Sequence, residues 1–120
     1  MVFMRPYMSG DHFEGFSPEP GKGLWFIATE GEKLVGWCRW RMAVDQVVIE
    51  EVVDSGDPQI FDGLVRGVLS MVNDGGIDRA VFSKNIRPDR LATSLISLDK
   101  NNALTSIDYF FNNCKKCKML

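Results

Sequence analysis

The chain has 120 residues, 45% of them hydrophobic and 25% charged, with a formal net charge of −2. These values are those of one globular domain that needs neither disulfides nor a metal to build a core. The small negative charge gives no reason to expect nucleic acid or an anionic membrane as a partner, and no apolar run is long enough to span a membrane. Three cysteines, an odd number, argue against a secreted disulfide framework, so we expect a cytoplasmic protein.

Strand-forming residues dominate several segments of the first half. The opening "VFMRPYM" is a short predicted strand, and residues 15–23, rich in Pro and Gly, are a predicted loop. Strands are then expected at residues 24–30, 34–42 and 46–53. Because the connections between these three are short, they predict an antiparallel meander.

The clearest element is an amphipathic helix over residues 58–73. Its apolar residues recur at helical spacing and form one stripe: Ile60, Phe61, Leu64, Val65, Val68, Leu69 and Val72. Asp57 is a suitable N-cap, Pro58 suits the first turn, and "NDGG" ends the helix.

A strand at residues 79–83 follows the helix, and this strand–helix–strand unit predicts a right-handed crossover and a parallel strand pair. "RPDRLATSLISL" predicts a second helix with Leu91, Leu95 and Leu98 on one side. "ALTSI" predicts a late strand and "DYFFNNCKKCK" a terminal helix. The predicted fold class is therefore α/β (α+β): an antiparallel meander continued by a parallel pair, with helices packed on the faces of the sheet.

This order of elements, with the stretch "VVIEEVVDSGDPQIFDGLVRGVL", resembles the Gcn5-related N-acetyltransferase (GNAT) fold over residues 24–98. The resemblance implies a single, truncated GNAT-like domain over residues 1–120 that transfers an acetyl group from acetyl-CoA to an amine. The family's signature is Arg or Gln, two residues, Gly, one residue, then Gly or Ala. Its backbone N–H groups, at the start of a helix, hold the pyrophosphate of the cofactor.

Aligning the apolar stripe with the family's helix puts Gly63 on the first glycine of the signature. The Arg or Gln position is then Ile60, and the second small position is Val65. Asp62 adds a negative charge where an anionic ligand would bind, so we expect acetyl-CoA to bind weakly, if it binds. The resemblance implies these cofactor-binding residues: Val52, Val53, Phe61, Asp62, Gly63, Leu64 and Val65. The alternative is an ordinary core helix.

Glu50 and Glu51 are the candidate catalytic residues, because the family's general base is frequently a glutamate on the strand before the signature. A carboxyl group among apolar neighbours is expected to have a raised pKa, which suits it to accept a proton from an amine. Glu51 is preferred, since strand alternation places it on one face with Ile49 and Val53.

The alternative for this pair of glutamates is structural. One carboxylate would face solvent, and the other would pair with Arg39 or Arg41 across the meander.

Two features of the family are missing from the sequence. The position of the tyrosine that protonates the leaving thiolate is Ile96, and only residues 9–23 are available for the helices that build the acceptor pocket. A small-molecule or peptide amine would therefore bind in a shallow cleft, or in one completed by a second subunit. Because Trp37 and the "DYFF" segment leave apolar surface to cover, we expect a homodimer.

Two functions follow from these observations. The first is an acyl-CoA-dependent N-acyltransferase, and the second is a catalytically inactive GNAT-like module for binding or oligomerisation.

Cys114 and Cys117 form a C-x-x-C pair with three possible interpretations. They are half of a zinc site, a pair of reactive thiols, or a pair of reduced, exposed thiols without a function. No metal site is predicted.

Overall fold

The computed structural model describes residues 1–19 and 21–113, which form one six-stranded sheet and three helices. In chain order the elements are β1 Val2–Pro6, β2 Leu24–Glu30, β3 Lys33–Ala43, β4 Gln46–Val53, α1 Pro58–Asp74, β5 Ala80–Phe82, α2 Pro88–Thr93, β6 Ala103–Leu104 and α3 Ile107–Asn113. The strands lie side by side in sequence order, and every neighbouring pair is antiparallel except β4 and β5. The predicted fold class is confirmed.

Helix α1 forms because its ends and its buried face are both encoded locally. The Asp57 side chain accepts a hydrogen bond from the Gln59 backbone N–H at 2.9 Å, Pro58 occupies the first turn, and Gly75 is the C-cap. The predicted apolar stripe is buried throughout. The helix prediction is therefore confirmed to within one residue.

Close approach of α1 to the sheet depends on Gly36 of β3. A Cβ atom at this position would lie 2.6 Å from the Val53 carbonyl oxygen and 2.8 Å from the Ile60 side chain. The helix axis can therefore come nearer to β3 and β4 than an alanine would allow.

The face of the sheet opposite α1, here called the outer face, is covered in part by residues 7–18. Ile27 on β2 is fully buried although it does not belong to the core under α1. The rings of Tyr7 and Phe16 are 5.6 Å apart, and Phe16 lies 4.9 Å from Trp37 on β3. This segment is held by Asp11, whose carboxylate accepts two hydrogen bonds from the Arg5 guanidinium at 2.7 and 2.8 Å.

The second helix is shorter than predicted. α2 ends at Thr93, where the Leu95 N–H donates to the Ala92 carbonyl and the Ile96 N–H donates to the Leu91 carbonyl. These two bonds form a Schellman motif, and Leu95 takes its left-handed position with φ 61°. The prediction that Leu91, Leu95 and Leu98 share a helix face is therefore wrong, and Leu95 is 46% exposed.

The late strand and the terminal helix are confirmed as β6 and α3. Phe110 of α3 is buried, and the Arg66 guanidinium of α1 lies 4.7 Å from the centre of its ring. Cys114 and Cys117 lie outside the described residues.

Candidate functional site

The parallel strands β4 and β5 separate halfway along β4. Their pairing ends with Ile49 opposite Phe82, and the Ser83 N–H makes one further bond to the Ile49 carbonyl at 2.9 Å. Residues 50–53 of β4 continue without a partner on the β5 side within the part of the chain that the structure describes. In open α/β sheets, ligands bind beyond the carboxyl ends of parallel strands. This gap between the strands is therefore the natural place for a site.

A β-bulge at Glu50 sets the direction of the candidate catalytic side chains. On β3, Trp40 lies opposite Ile49 and Arg39 lies opposite Glu51, which leaves Glu50 as the extra residue. Ile49 and Glu51 thus face opposite sides of the sheet. The prediction that they share a face is wrong, because simple alternation fails at a bulge. Glu51 does share the outer face with Val53, as predicted.

Glu50 forms the predicted cross-strand ion pairs. Its Oε1 lies 3.4 Å from Nη1 of Arg39 and 3.5 Å from Nε of Arg41. This oxygen is buried and accepts no hydrogen bond from the described residues. Two guanidinium groups beside one carboxylate hold it in place. The structural alternative is therefore confirmed for Glu50.

Glu51 lies in a cleft on the outer face. Its Oε1 accepts a hydrogen bond from Nε1 of Trp37 at 3.2 Å. The cleft has a volume of about 460 Å³, and its described lining residues are Gly15, Phe16, Ser17, Pro18, Glu19, Lys22, Trp25, Trp37, Arg39 and Glu51. We call it the outer cleft. Its opening to solvent and its aromatic walls would allow an amine ligand to contact the Glu51 carboxylate.

The start of α1 has its own hydrogen-bond partners. The Gly56 N–H donates to Oδ1 of Asp54, the Gln59 N–H to Oδ1 of Asp57, and the Ile60 N–H to the Asp57 carbonyl. These are the donors that a pyrophosphate at a helix N-terminus would need. Asp57 brings negative charge to this end of the helix, whereas Asp54 is paired with the Arg90 guanidinium at 2.7 Å. A pyrophosphate that used these N–H groups would have to replace their bonds to Asp54 and Asp57.

The predicted cofactor-binding residues lie around this helix start. Gly63 is inside α1, where a Cβ atom would lie 2.5 Å from the Met4 sulfur on β1, so its lack of a side chain has a packing reason. Asp62 pairs with Arg66 at 2.8 Å. The others are buried or partly buried side chains: Val52, Val53, Phe61, Leu64 and Val65. Contact of these residues with acyl-CoA stays a prediction.

A larger cavity, of about 760 Å³, lies beyond the carboxyl end of β5. Besides Ser83 and Lys84, its lining includes Pro88, Leu91 and Ala92 of α2 and residues 95–98. Lys84 brings one ammonium group to this mostly apolar cavity, and an anionic ligand could pair with it. Reasoning from the sequence missed this cavity, because "SKN" has the composition of an ordinary strand–helix connection.

Some other kinds of site find no support in the part of the chain that the structure describes. Ile96 is buried next to the end of α2 and carries no proton to donate. No group of three or more metal-ligating side chains occurs within residues 1–19 and 21–113. Over the same residues, no helix is long and apolar enough to cross a membrane.

Comparison with known proteins identifies the fold. No protein-family model and no curated protein matches the chain. Among solved structures, the ribosomal-protein-S18-alanine N-acetyltransferase of Escherichia coli superposes with a TM-score of 0.57 at 14% identity, over 79% of this chain and 76% of that one. A GNAT family acetyltransferase from Elizabethkingia anophelis with acetyl-CoA bound gives 0.60 at 12% identity, over 78% and 72%.

A third structure is close to this chain in length. The Escherichia coli protein YhhK, bound to coenzyme A, gives a TM-score of 0.54 at 12% identity over 88% of this chain and 97% of that one. Likeness at these identities shows the fold. The fold is GNAT-like, as the sequence predicted.

Proposed function

We propose that this protein is an acyl-CoA-dependent N-acyltransferase in which Glu51 is the general base. The observation that carries the proposal is the position of Glu51 on the stretch of β4 that has separated from β5. Its carboxylate opens into the outer cleft, and its ion-paired neighbour Glu50 is held by Arg39 and Arg41 instead. The GNAT-like fold of acetyl-CoA- and CoA-bound proteins supports the reaction class.

The reaction requires a neutral amine and a leaving thiolate. An ammonium in the outer cleft gives its proton to Glu51, and the freed amine attacks the thioester carbonyl carbon. The new C–N bond forms as the C–S bond breaks, and CoA leaves as the thiolate. The nitrogen loses its second proton to water as the amide forms. Since Ile96 cannot donate a proton, we infer that the thiolate takes its proton from water.

Acyl-CoA is proposed to bind along the gap between β4 and β5. Its phosphates would lie by Lys84 in the larger cavity, and its thioester would reach residues 50–53. Ser83 links the two parts of this path, because it lines the larger cavity and its N–H bonds to Ile49, two residues before Glu51. The acyl donor and the acceptor then approach the gap from the two faces of the sheet.

Turnover of Glu51→Gln tests the proposal. With acetyl-CoA and a panel of amines, the wild-type protein should release CoA and form an N-acetyl product. Glu51→Gln should lower the rate at least about 100-fold, the usual contribution of a general base. Glu32→Gln, on the exposed β2–β3 turn, is the matched control and should keep the wild-type rate. Equal rates for all three proteins would contradict the role of Glu51.

A second candidate function is an inactive GNAT-like binding or oligomerisation module. One observation favours it: the N–H groups at the start of α1 are bonded to Asp54 and Asp57. If this is the function, neither acetyl-CoA nor free CoA should raise the melting temperature, and no amine should be acetylated. A thermal shift with either ligand separates the two candidates.

A further inference from the structure

The outer cleft carries charges of both signs. Of its described lining residues, Glu19 and Glu51 are acidic, whereas Lys22 and Arg39 are basic. Nη1 of Arg39 also donates a hydrogen bond to the Lys22 carbonyl at 3.2 Å. This bond keeps the backbone of Lys22 beside the guanidinium of Arg39, and both residues line the cleft.

Glu51 is a cross-strand neighbour of Arg39. Glu51 lies directly opposite Arg39 in the β3–β4 register, a separation of about 5 Å between Cβ atoms. Within residues 1–19 and 21–113, the ion pairs of Arg39 and Arg41 go to Glu50, and none goes to Glu51. The cleft therefore presents an anionic side chain, Glu51, and a cationic side chain, Arg39, at directly opposite positions of neighbouring strands.

Aromatic rings form the remaining walls. Phe16 packs on Trp37 at 4.9 Å between ring centres, and Trp25 lies beside Arg39 on the neighbouring strand, β2. A volume of about 460 Å³ is in the range of small-molecule sites. The rings offer an apolar surface for a side chain of the acceptor.

On the basis of the proposed acyltransferase function, we infer that the acceptor is a free amino acid with an aromatic or large apolar side chain. Its α-ammonium faces Glu51, its α-carboxylate faces Lys22 and Arg39, and its side chain lies on the rings. A polyamine or a lysine-rich peptide is disfavoured, because it brings neither a carboxylate for Lys22 and Arg39 nor an apolar side chain for the rings. The product of the reaction is then an N-acyl amino acid.

Binding of phenylalanine tests the inference without acyl-CoA. Two of the three tryptophans, Trp25 and Trp37, line the cleft, so tryptophan fluorescence reports its occupancy. The full-length protein should bind L-phenylalanine at least about tenfold more tightly than phenethylamine, which lacks only the carboxylate. Spermidine should bind more weakly than either.

Lys22→Ala is the informative variant, because Lys22 is exposed and its loss should leave the fold intact. It should remove most of the preference for phenylalanine over phenethylamine. Lys33→Ala, which changes an exposed lysine of the same sheet outside the cleft, should keep that preference. An unchanged preference in Lys22→Ala would overturn the inference, as would equal wild-type affinities for the two ligands.

Failure of the inference and failure of the proposed function give different results. If phenylalanine binds with the expected preference but is never acetylated, the cleft is an amino-acid site and the proposed function is wrong. If spermidine or a peptide amine is acetylated and phenylalanine does not bind, the proposed function stands and the inferred acceptor is wrong.

Discussion

Asp11 is the residue whose protonation has the clearest structural consequence. Hydrogen bonds from the Arg5 guanidinium, and then from the Met8 backbone N–H, lower the pKa of its carboxyl group from 3.8 to about 2. A carboxyl group whose pKa is lower in the folded state than in the unfolded state stabilises the protein at pH values above its unfolded pKa. This stabilisation is lost as the pH falls through the folded pKa. The anchor of residues 7–18 on the outer face should therefore weaken between about pH 4 and about pH 2.

Asp11→Asn tests this pH dependence. The variant should melt below the wild type at pH 7, and the difference in melting temperature should shrink from about pH 4 to about pH 2. Arg5→Gln should show the same trend, and the double variant should lose little more than either single one. A difference that stays constant over this range would show that the Arg5–Asp11 pair does not stabilise the fold.

Single residues differ in how far the sequence predicts them. Asp57 caps α1 and Pro58 occupies its first turn, and both roles can be predicted because they depend only on neighbouring residues. The orientation of Glu51 is set by an extra residue in the β3–β4 register, and a bulge leaves no mark in an alternating pattern. The sequence thus places Glu51 correctly on one face with Val53 and wrongly on one face with Ile49.

At the scale of elements, the end of α2 can be tested by the sign of a difference in free energy of unfolding between two variants. Leu95 occupies the left-handed position of the Schellman motif, where glycine is the usual residue. Leu95→Gly should therefore have a higher free energy of unfolding than Leu95→Ala, by about 1 kcal/mol. Both variants lose the same exposed side chain, so their difference isolates the backbone conformation.

Chemical denaturation of these two variants gives the answer. In a continuous helix the glycine variant would instead be less stable than the alanine variant, by about 1 kcal/mol. That result would contradict the observed end of α2 at Thr93.

Long elements are predictable here and short ones are not. Helix α1 has one apolar stripe that is buried along its whole length, and strands β2 to β4 are runs of seven to eleven residues rich in strand formers. α2 has six residues, and leucines at helical spacing continue past its end. The pattern therefore overstates the helix, because nothing in residues 94–96 is a customary helix stop.

At the scale of the molecule, the homodimer remains a prediction with a changed basis. Trp37 is covered by Phe16 of the same chain and Phe110 is buried, so neither requires a partner. Among the described residues, however, β1 is an edge strand bonded only to β2, and its Phe3 is 62% exposed. Pairing of β1 with its copy across a two-fold axis would cover both features.

Sedimentation at micromolar concentration measures the mass of the protein in solution and so tests the dimer directly. We expect twice the mass of one 13.5 kDa chain, and Phe3→Glu should give the mass of one chain. A wild-type protein that sediments as 13.5 kDa at every concentration is evidence for a monomer.

The fold of the whole chain is far more predictable than its chemistry. Strand and helix periodicity fix the order of elements, and the GNAT-like arrangement follows from them. The proposed donor site does not follow, because the N–H groups at the helix start are bonded to Asp54 and Asp57 and the larger cavity depends on how α2 packs. Local pattern carries no information about either arrangement.

Titration of the ¹⁵N-labelled protein with acetyl-CoA, followed by amide NMR shifts, tests the proposed acyltransferase most directly. It reports binding and position together, without an acceptor. We expect the largest shifts at residues 50–53 of β4 and at Ser83 and Lys84, the two sides of the gap where acyl-CoA is proposed to lie. No shifts at millimolar acetyl-CoA, or shifts confined to regions away from this gap, would contradict acyl-CoA-dependent function.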